Sequence, residues 1–249
     1  MSTPRRVQAV VAHPDDETFG CGSLLLHAAG HGAVTAVCCA TRGEAGGDGP
    51  DLGAVREREL HAAAALLGVG RVDLLRFADS GMSGPAGRDT LVGAPFDRVL
   101  EAVQGAVAGF RPYVLITLDA SDGHRDHARI RDAAIAAARA TRVPRVYLHC
   151  LPRSLMRRWV DLMRAERPDV EHLDADVAAL GTPDEEITTI IDVGEHLAAR
   201  ERTIAVHASQ TSPFNGLPAD LRRAFLATDH ARRVVPPWTG GAPETSLFA

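Results

Sequence analysis

The chain has no lysine: all 27 of its basic residues are arginine. That absence excludes a Schiff-base aldolase, a pyridoxal enzyme and a P-loop nucleotidase, each of which needs a lysine amine. Cysteine is scarce as well. Cys21, Cys38, Cys39 and Cys150 form no C-x-x-C pair, and three of them sit in apolar stretches, so they read as buried free thiols. No apolar run approaches the roughly 20 residues of a membrane span. The amino-terminal residues lack the apolar core and small-residue cleavage site of a secretory leader. A cytoplasmic location is the expectation. Positive charge is not in excess, and a net charge of −5 offers no general basic field to nucleic acid or an anionic membrane.

What is present is an α/β pattern. The 249 residues, 45% hydrophobic, suit one domain over 1–249, with a core over about 5–210 and a carboxyl-terminal extension over 211–249. Val7–Ala12 reads as a buried parallel strand that stops at Pro14. Helix is expected over Thr18–His31, Ala54–Leu67, Phe96–Phe110 and Asp126–Ala140. Strands are expected over Ala33–Ala40, Val72–Phe77, Tyr113–Leu118 and Arg145–Leu151. This alternation predicts a Rossmann-like, mostly parallel sheet with helices on both faces. Two long loops, 41–53 and 78–94, fall at the edge where the strands end. Beyond Pro152 the pattern weakens to helix over Leu155–Glu166, a strand over Ile187–Val193, and helices over Glu195–Ser209 and Ala219–Ala227, before Pro236-Pro237 breaks the tail. Heavy use of Ala, Arg, Gly, Asp and Val suggests a GC-rich, bacterial coding sequence.

Two polar clusters follow two strands. His13-Pro14-Asp15-Asp16-Glu17 follows the first, and Asp122-Gly123-His124-Arg125-Asp126-His127 follows the fourth. In open α/β sheets these strands often flank the crevice where ligands collect. Two imidazoles and a carboxylate with one open position form the catalytic zinc pattern. Spacing alone does not separate Asp15 from Asp16. It also leaves open which of His124 and His127 binds metal and which acts on substrate. Each piece has a structural counterpart: the paired Asp residues as turn or cap residues, and Glu17 or Asp126 as a carboxylate favouring a helix start.

Ala12-His13-Pro14-Asp15-Asp16-Glu17 resembles the signature of the LmbE/PIG-L family of zinc-dependent N-deacetylases. His124-Arg125-Asp126-His127 resembles the family's second motif. Arg56–Leu60, Asp79-Ser80-Gly81-Met82 and His207-Ala208-Ser209-Gln210 are similar to further family segments, the middle one to mycothiol-pathway members. The match spans roughly residues 10–210, and the look is also that of antibiotic amino-sugar deacetylases. The resemblance implies that His13, Asp16 and His127 bind Zn2+, with another divalent ion such as Fe2+ as the alternative, and that Asp15 is the general base. It implies a small N-acetylated amino-sugar substrate, or an amide in a thiol S-conjugate. Protonated His124 is read as an oxyanion donor, Asp126 and Glu17 as groups behind the ligands, and Arg56, Asp79 and Asp122 as substrate contacts. His207 is read either as cavity-facing or as a satisfied structural histidine. Asp122 stands where some relatives carry a tyrosine, and Tyr113 and Tyr147 both lie in expected strands. A dinucleotide-binding protein is disfavoured, because Leu25 stands where a third glycine would fall after Gly20-Cys21-Gly22 and Asp15–Glu17 would repel a pyrophosphate. A sugar-binding protein with a dead site is the other competitor, although no expected ligand is missing. Self-association is left open.

Overall fold

The computed structural model describes residues 5–166 and 180–248. Seven strands form one sheet: β1 (Arg6–Val11), β2 (Val34–Thr41), β3 (Arg71–Phe77), β4 (Val114–Leu118), β5 (Arg145–Cys150), β6 (Thr189–Asp192) and β7 (Thr228–Val235). Their order is β3-β2-β1-β4-β5-β7-β6. The first five pair in parallel, while β7 runs antiparallel to both β5 and β6. The chain winds outward from β1 through β2 to β3, then returns to start β4 on the other side of β1. That reversal makes the crevice between β1 and β4 the switch point of the sheet. The register Val7↔Val114 through Val10↔Thr117 brings the ends of these strands side by side.

Continuous apolar runs form the inner strands because both faces are covered. Val7, Ala9 and Val11 pack with Leu24, Leu25 and Ala28 of α2 (Gly22–Gly30) and with Leu60 of α3 (Leu52–Leu66). Val10 and Ala12 turn to the opposite face. There they meet Val99, Val103 and Val107 of α4 (Phe96–Phe110), and Ile130, Ala133 and Ala137 of α5 (Arg125–Ala140). All four cysteines are free and buried. Among the described residues, no helix is long and apolar enough to cross a membrane.

Three departures from the sequence expectation matter for the site. The helix expected over Thr18–His31 is split into α1 (Asp16–Phe19) and α2. The break lies at Gly20, where a Cβ would stand 2.9 Å from Leu118 Cδ2 and 3.1 Å from Asp16 O, so a larger residue would need both neighbours to give way. The helix expected over Glu195–Ser209 is shorter, α7 (Leu197–Ile204), and His207 lies in the turn after it. Finally, residues 211–249, expected as an extension, supply α8 (Ala219–Leu226) and an internal strand. β7 was illegible because Thr-Asp-His-Ala-Arg-Arg lacks an apolar run, yet it fills the gap between β5 and β6. α8 packs with α6 (Arg153–Glu166) through Leu155, Leu221 and Phe225, and Phe19 and Phe214 join this third apolar cluster beside the strand ends.

Candidate active site

β1 ends where Asp16 folds back on it. Asp16 Oδ2 accepts the backbone N–H of Ala12 at 3.1 Å and of His13 at 2.8 Å. This leaves Oδ1 as its free oxygen, 3.3 Å from His127 Nε2. His13 Nδ1 stands 3.6 Å from Oδ2. The two imidazoles, 114 positions apart in the sequence, have ring centroids 5.3 Å apart. Their far nitrogens are held from behind. His127 Nδ1 donates to Asp122 Oδ2 at 2.6 Å, and His13 Nε2 donates to Asp126 Oδ2 at 3.2 Å with Asp79 Oδ1 at 3.5 Å.

With those far nitrogens held by carboxylates, His13 Nδ1 and His127 Nε2 are the ring atoms on the side of Asp16. Two imidazoles and a carboxylate in this arrangement suit a cation held among them. His127 Nε2 is buried with no hydrogen-bond partner. Zinc bonds of about 2.0–2.1 Å in a tetrahedron place ligand atoms about 3.3 Å apart, the separation of His127 Nε2 and Asp16 Oδ1. A carboxylate behind each ligating imidazole is the usual support of a metal site. The residues therefore fit a divalent metal. The surrounding carboxylates favour positive charge at the two rings, whether a proton or a metal supplies it. Burial opposes the charged forms throughout. Even so, Asp126, Asp16 and Asp79 raise His13 well above its ordinary range, and Asp16 and Asp122 push His127 up to about 10. The two imidazoles in turn bring Asp16 well below the usual carboxylate range.

Asp15 sits beside this group in a left-handed conformation, φ 109°, which costs a non-glycine residue about 1–3 kcal/mol. Its backbone N–H donates to Glu17 Oε2 at 2.9 Å, and its Oδ2 accepts Arg56 Nη2 at 3.0 Å. Burial, then the charge of Asp16, raises its carboxyl to about 7 against the pull of Arg56. Arg56 is itself buried and donates to the carbonyls of Gly43 and Pro14. The outer nitrogens of Arg56, read in the sequence as a substrate contact, bond to protein, Nε has no partner, and the side chain lines the polar cavity. The first glycine-rich loop is explained by the same packing, since a Cβ at Gly43 or Gly46 would overlap the guanidinium.

His124 is the N-cap of α5, and its Nδ1 accepts the N–H of Asp126 at 3.1 Å. That bond places the ring proton on Nε2. Burial and the neighbouring His13 and His127 lower its pKa. With Nδ1 accepting at the helix cap, the ring nitrogen left to donate is Nε2. The Asp122 carboxylate holds the His127 ring, and it meets His124 at the backbone N–H, at 3.0 Å. Asp79 braces two loops, accepting Gly81 N at 2.8 Å and Ala45 N at 3.3 Å, while it lines the cavity. Asp126 also accepts Ser80 N at 3.0 Å. Glu17 is fully buried and accepts His207 Nε2 at 2.6 Å, so His207 supports the Asp15 turn from behind. No tyrosine comes from the loop at 119–124: Tyr147 lies within β5 and Tyr113 immediately precedes β4.

Sequence reasoning missed three features. Arg125 donates to the carbonyls of Ser80, Gly81, Ser83 and Gly84, and so ties the second long loop to α5. Arg200, fully buried, donates to Phe19 O at 2.7 Å, Ser23 Oγ at 2.9 Å and Asp229 Oδ1 at 3.1 Å, bracing the α1–α2 junction. The third feature is spatial. Asp16 and His127 line two cavities of about 280 Å³ each. One is polar, with Asp15, Arg56, Asp79, His124 and Gln210; the other is walled largely by apolar side chains. No linear motif announces a pocket built from five separate segments.

A switch-point crevice that gathers two imidazoles and a carboxylate, with a second carboxylate alongside, has the make-up that a hydrolytic metal centre on a doubly wound fold requires. The particular lineage follows from comparison. Residues 8–138 match the family model described as "PIG-L: GlcNAc-PI de-N-acetylase", and the chain belongs to this family. A 1D-myo-inositol 2-acetamido-2-deoxy-alpha-D-glucopyranoside deacetylase from Thermobispora bispora is 35% identical over 262 residues, covering 90% of this chain and 86% of the relative. Among solved structures, the N,N'-diacetylchitobiose deacetylase from Pyrococcus horikoshii superposes with a TM-score of 0.62 at 18% identity, over 96% of this chain and 87% of that one. The 4-carboxy-2-hydroxymuconate hydratase GalB from Pseudomonas putida also reaches 0.62, at 17% identity over 95% and 99%. These two likenesses show the fold alone, which carries more than one chemistry.

Proposed function

We propose that the protein is a zinc-dependent hydrolase that removes an N-acetyl or similar N-acyl group from a small amino-sugar-containing molecule. The observation that carries this reading is the approach of Asp16 to His13 Nδ1 and His127 Nε2, at the wall of a polar cavity that also holds Asp15 and His124. His13, Asp16 and His127 are the proposed ligands. His124 is set apart because its Nδ1 is already engaged at the helix cap. A divalent cation held there supplies Lewis acidity toward the amide carbonyl and toward water.

The side chains account for the remaining steps. Asp15 takes a proton from the attacking water, and Arg56 fixes the carboxylate for that transfer. His124 Nε2–H faces the carbonyl oxygen and stabilises the negative charge that develops on it. The carbon–nitrogen bond then breaks, the proton held by Asp15 passes to the leaving amine, and the products are a carboxylate and a free amino sugar. Gln210 and Asp79 at the cavity wall suit sugar hydroxyls. The named relative and the family support the substrate class.

The test is hydrolysis of a panel of N-acetylglucosaminides by zinc-loaded and metal-stripped protein, with acetate and free amine both measured. Equal release of both products, lost on stripping and restored by zinc, is expected. Metal binding at full occupancy with no amide turned over would contradict the reading.

A further inference from the structure

The second cavity beside Asp16 and His127 is far larger than an acetyl methyl needs. Phe19, Leu118, Leu151, Met156, Trp159 and Phe214 form most of its wall. The polar side chains along it are turned toward protein partners. Asp119 accepts Ser121 N at 2.9 Å and the Thr182 hydroxyl, and Asp122 holds His127. His149 Nε2 faces Asp229 Oδ1 at 3.6 Å, and the Trp159 indole N–H donates to Pro213 O at 3.2 Å. A space bounded in this way gains from an apolar ligand and offers little to a hydroxylated one.

The two cavities meet at the reaction centre, sharing Asp16 and His127. A secondary amide is planar and trans, so the substituents on its carbon and its nitrogen leave in opposite directions. With the amine-bearing sugar in the polar cavity, the acyl carbon points into the apolar one. We infer that this cavity is an acyl site, and that the preferred substrates are amino sugars whose N-acyl group is an unbranched chain longer than acetyl. The inference rests on the hydrolase reading above and specifies which substituent of the amide is apolar.

Two substrate series test it on the zinc-loaded enzyme. One is glucosamine N-acylated with acetyl to octanoyl chains, and the other is N-acetylglucosamine carrying methyl to octyl aglycones, with free amine released as the readout. In the acyl series kcat/KM should rise about fourfold per methylene until the cavity is filled, while the aglycone series stays flat. Met156→Trp, or the milder Met156→Phe, should remove the rise and leave acetyl hydrolysis in place. A flat or falling acyl series would overturn the inference, and so would a gain confined to the aglycone series. Binding of the same acyl series to zinc-loaded Asp15→Asn protein, followed by calorimetry, reads the cavity without chemistry. Length-independent binding overturns the acyl site; length-dependent binding with no wild-type turnover supports it and overturns the hydrolase reading instead.

Discussion

The reaction centre and the scaffold behind it are built in different ways. In front stand His13, Asp15, Asp16, His124 and His127, all from the two segments that run from the ends of β1 and β4 into the first turns of α1 and α5. Behind stand two buried ion pairs that reach across the sequence: Glu17 with His207, and Asp229 with Arg200, which also anchors the carbonyls around Gly20. The first set comes from residues 13–127 and the second draws its outer partners from residues 200–229. Reactive groups are thus supplied locally, while their orientation is imposed by remote charges in a low-dielectric setting. The two sets should fail differently when broken.

The largest expected effect on catalysis is at Asp15. Replacing it with Asn should lower kcat by about 10²–10⁴-fold, with zinc content and thermal midpoint unchanged. A variant that turns over normally would remove Asp15 from the chemistry. Arg200→Met should show the opposite signature. It strands the Asp229 carboxylate in the core, and unfolding free energy from urea titration should fall by about 3–5 kcal/mol. A native-like midpoint would show that the brace is dispensable. Asp122→Asn lies between the two sets, because it weakens the support of one ligand without exposing a buried charge. Zinc affinity should fall about 10–100-fold, read by competition with a chelating dye, while the fold persists.

The smallest effect is one of pH. Burial works against the Asp229 carboxylate, but Arg200 and His149 bring it below its usual range. The unfolded chain therefore binds this proton more readily. The stabilisation is present above the ordinary Asp value of about 3.9 and is lost as pH falls through the lower folded value. The stability gap between wild type and Asp229→Asn, measured by urea unfolding, should narrow as the medium is acidified through that window. A gap independent of pH would contradict the pairing.

The difference between the two sets also explains what could be read from the sequence. β1 to β5 were legible because buried parallel strands are apolar runs, and Val7–Val11 ends at an obvious polar cluster. The facing of the two clusters followed from the winding order. The placement of Asp122 on His127, rather than near the ring of His124, was not legible, because both residues are reached from the same turn. β7 was hidden because its inward residue Asp229 is charged and is buried only in the company of Arg200. The helix expected through His207 stops early so that a turn can deliver this side chain to Glu17, a contact 190 residues apart in the chain. Buried ion pairs break the hydropathy pattern, so periodicity misses the elements that carry them.

The account turns on which atoms face one cation. An anomalous-difference map at the zinc edge from zinc-soaked crystals tests this most directly. One peak bonded to His13 Nδ1, Asp16 Oδ1 and His127 Nε2 is the expected result. A peak on His124 in place of Asp16, or one among His13 Nε2, Asp79 and Asp126, would contradict it, since those two sets are the ones at this site that already bring three ligand atoms within 4.8 Å of one another.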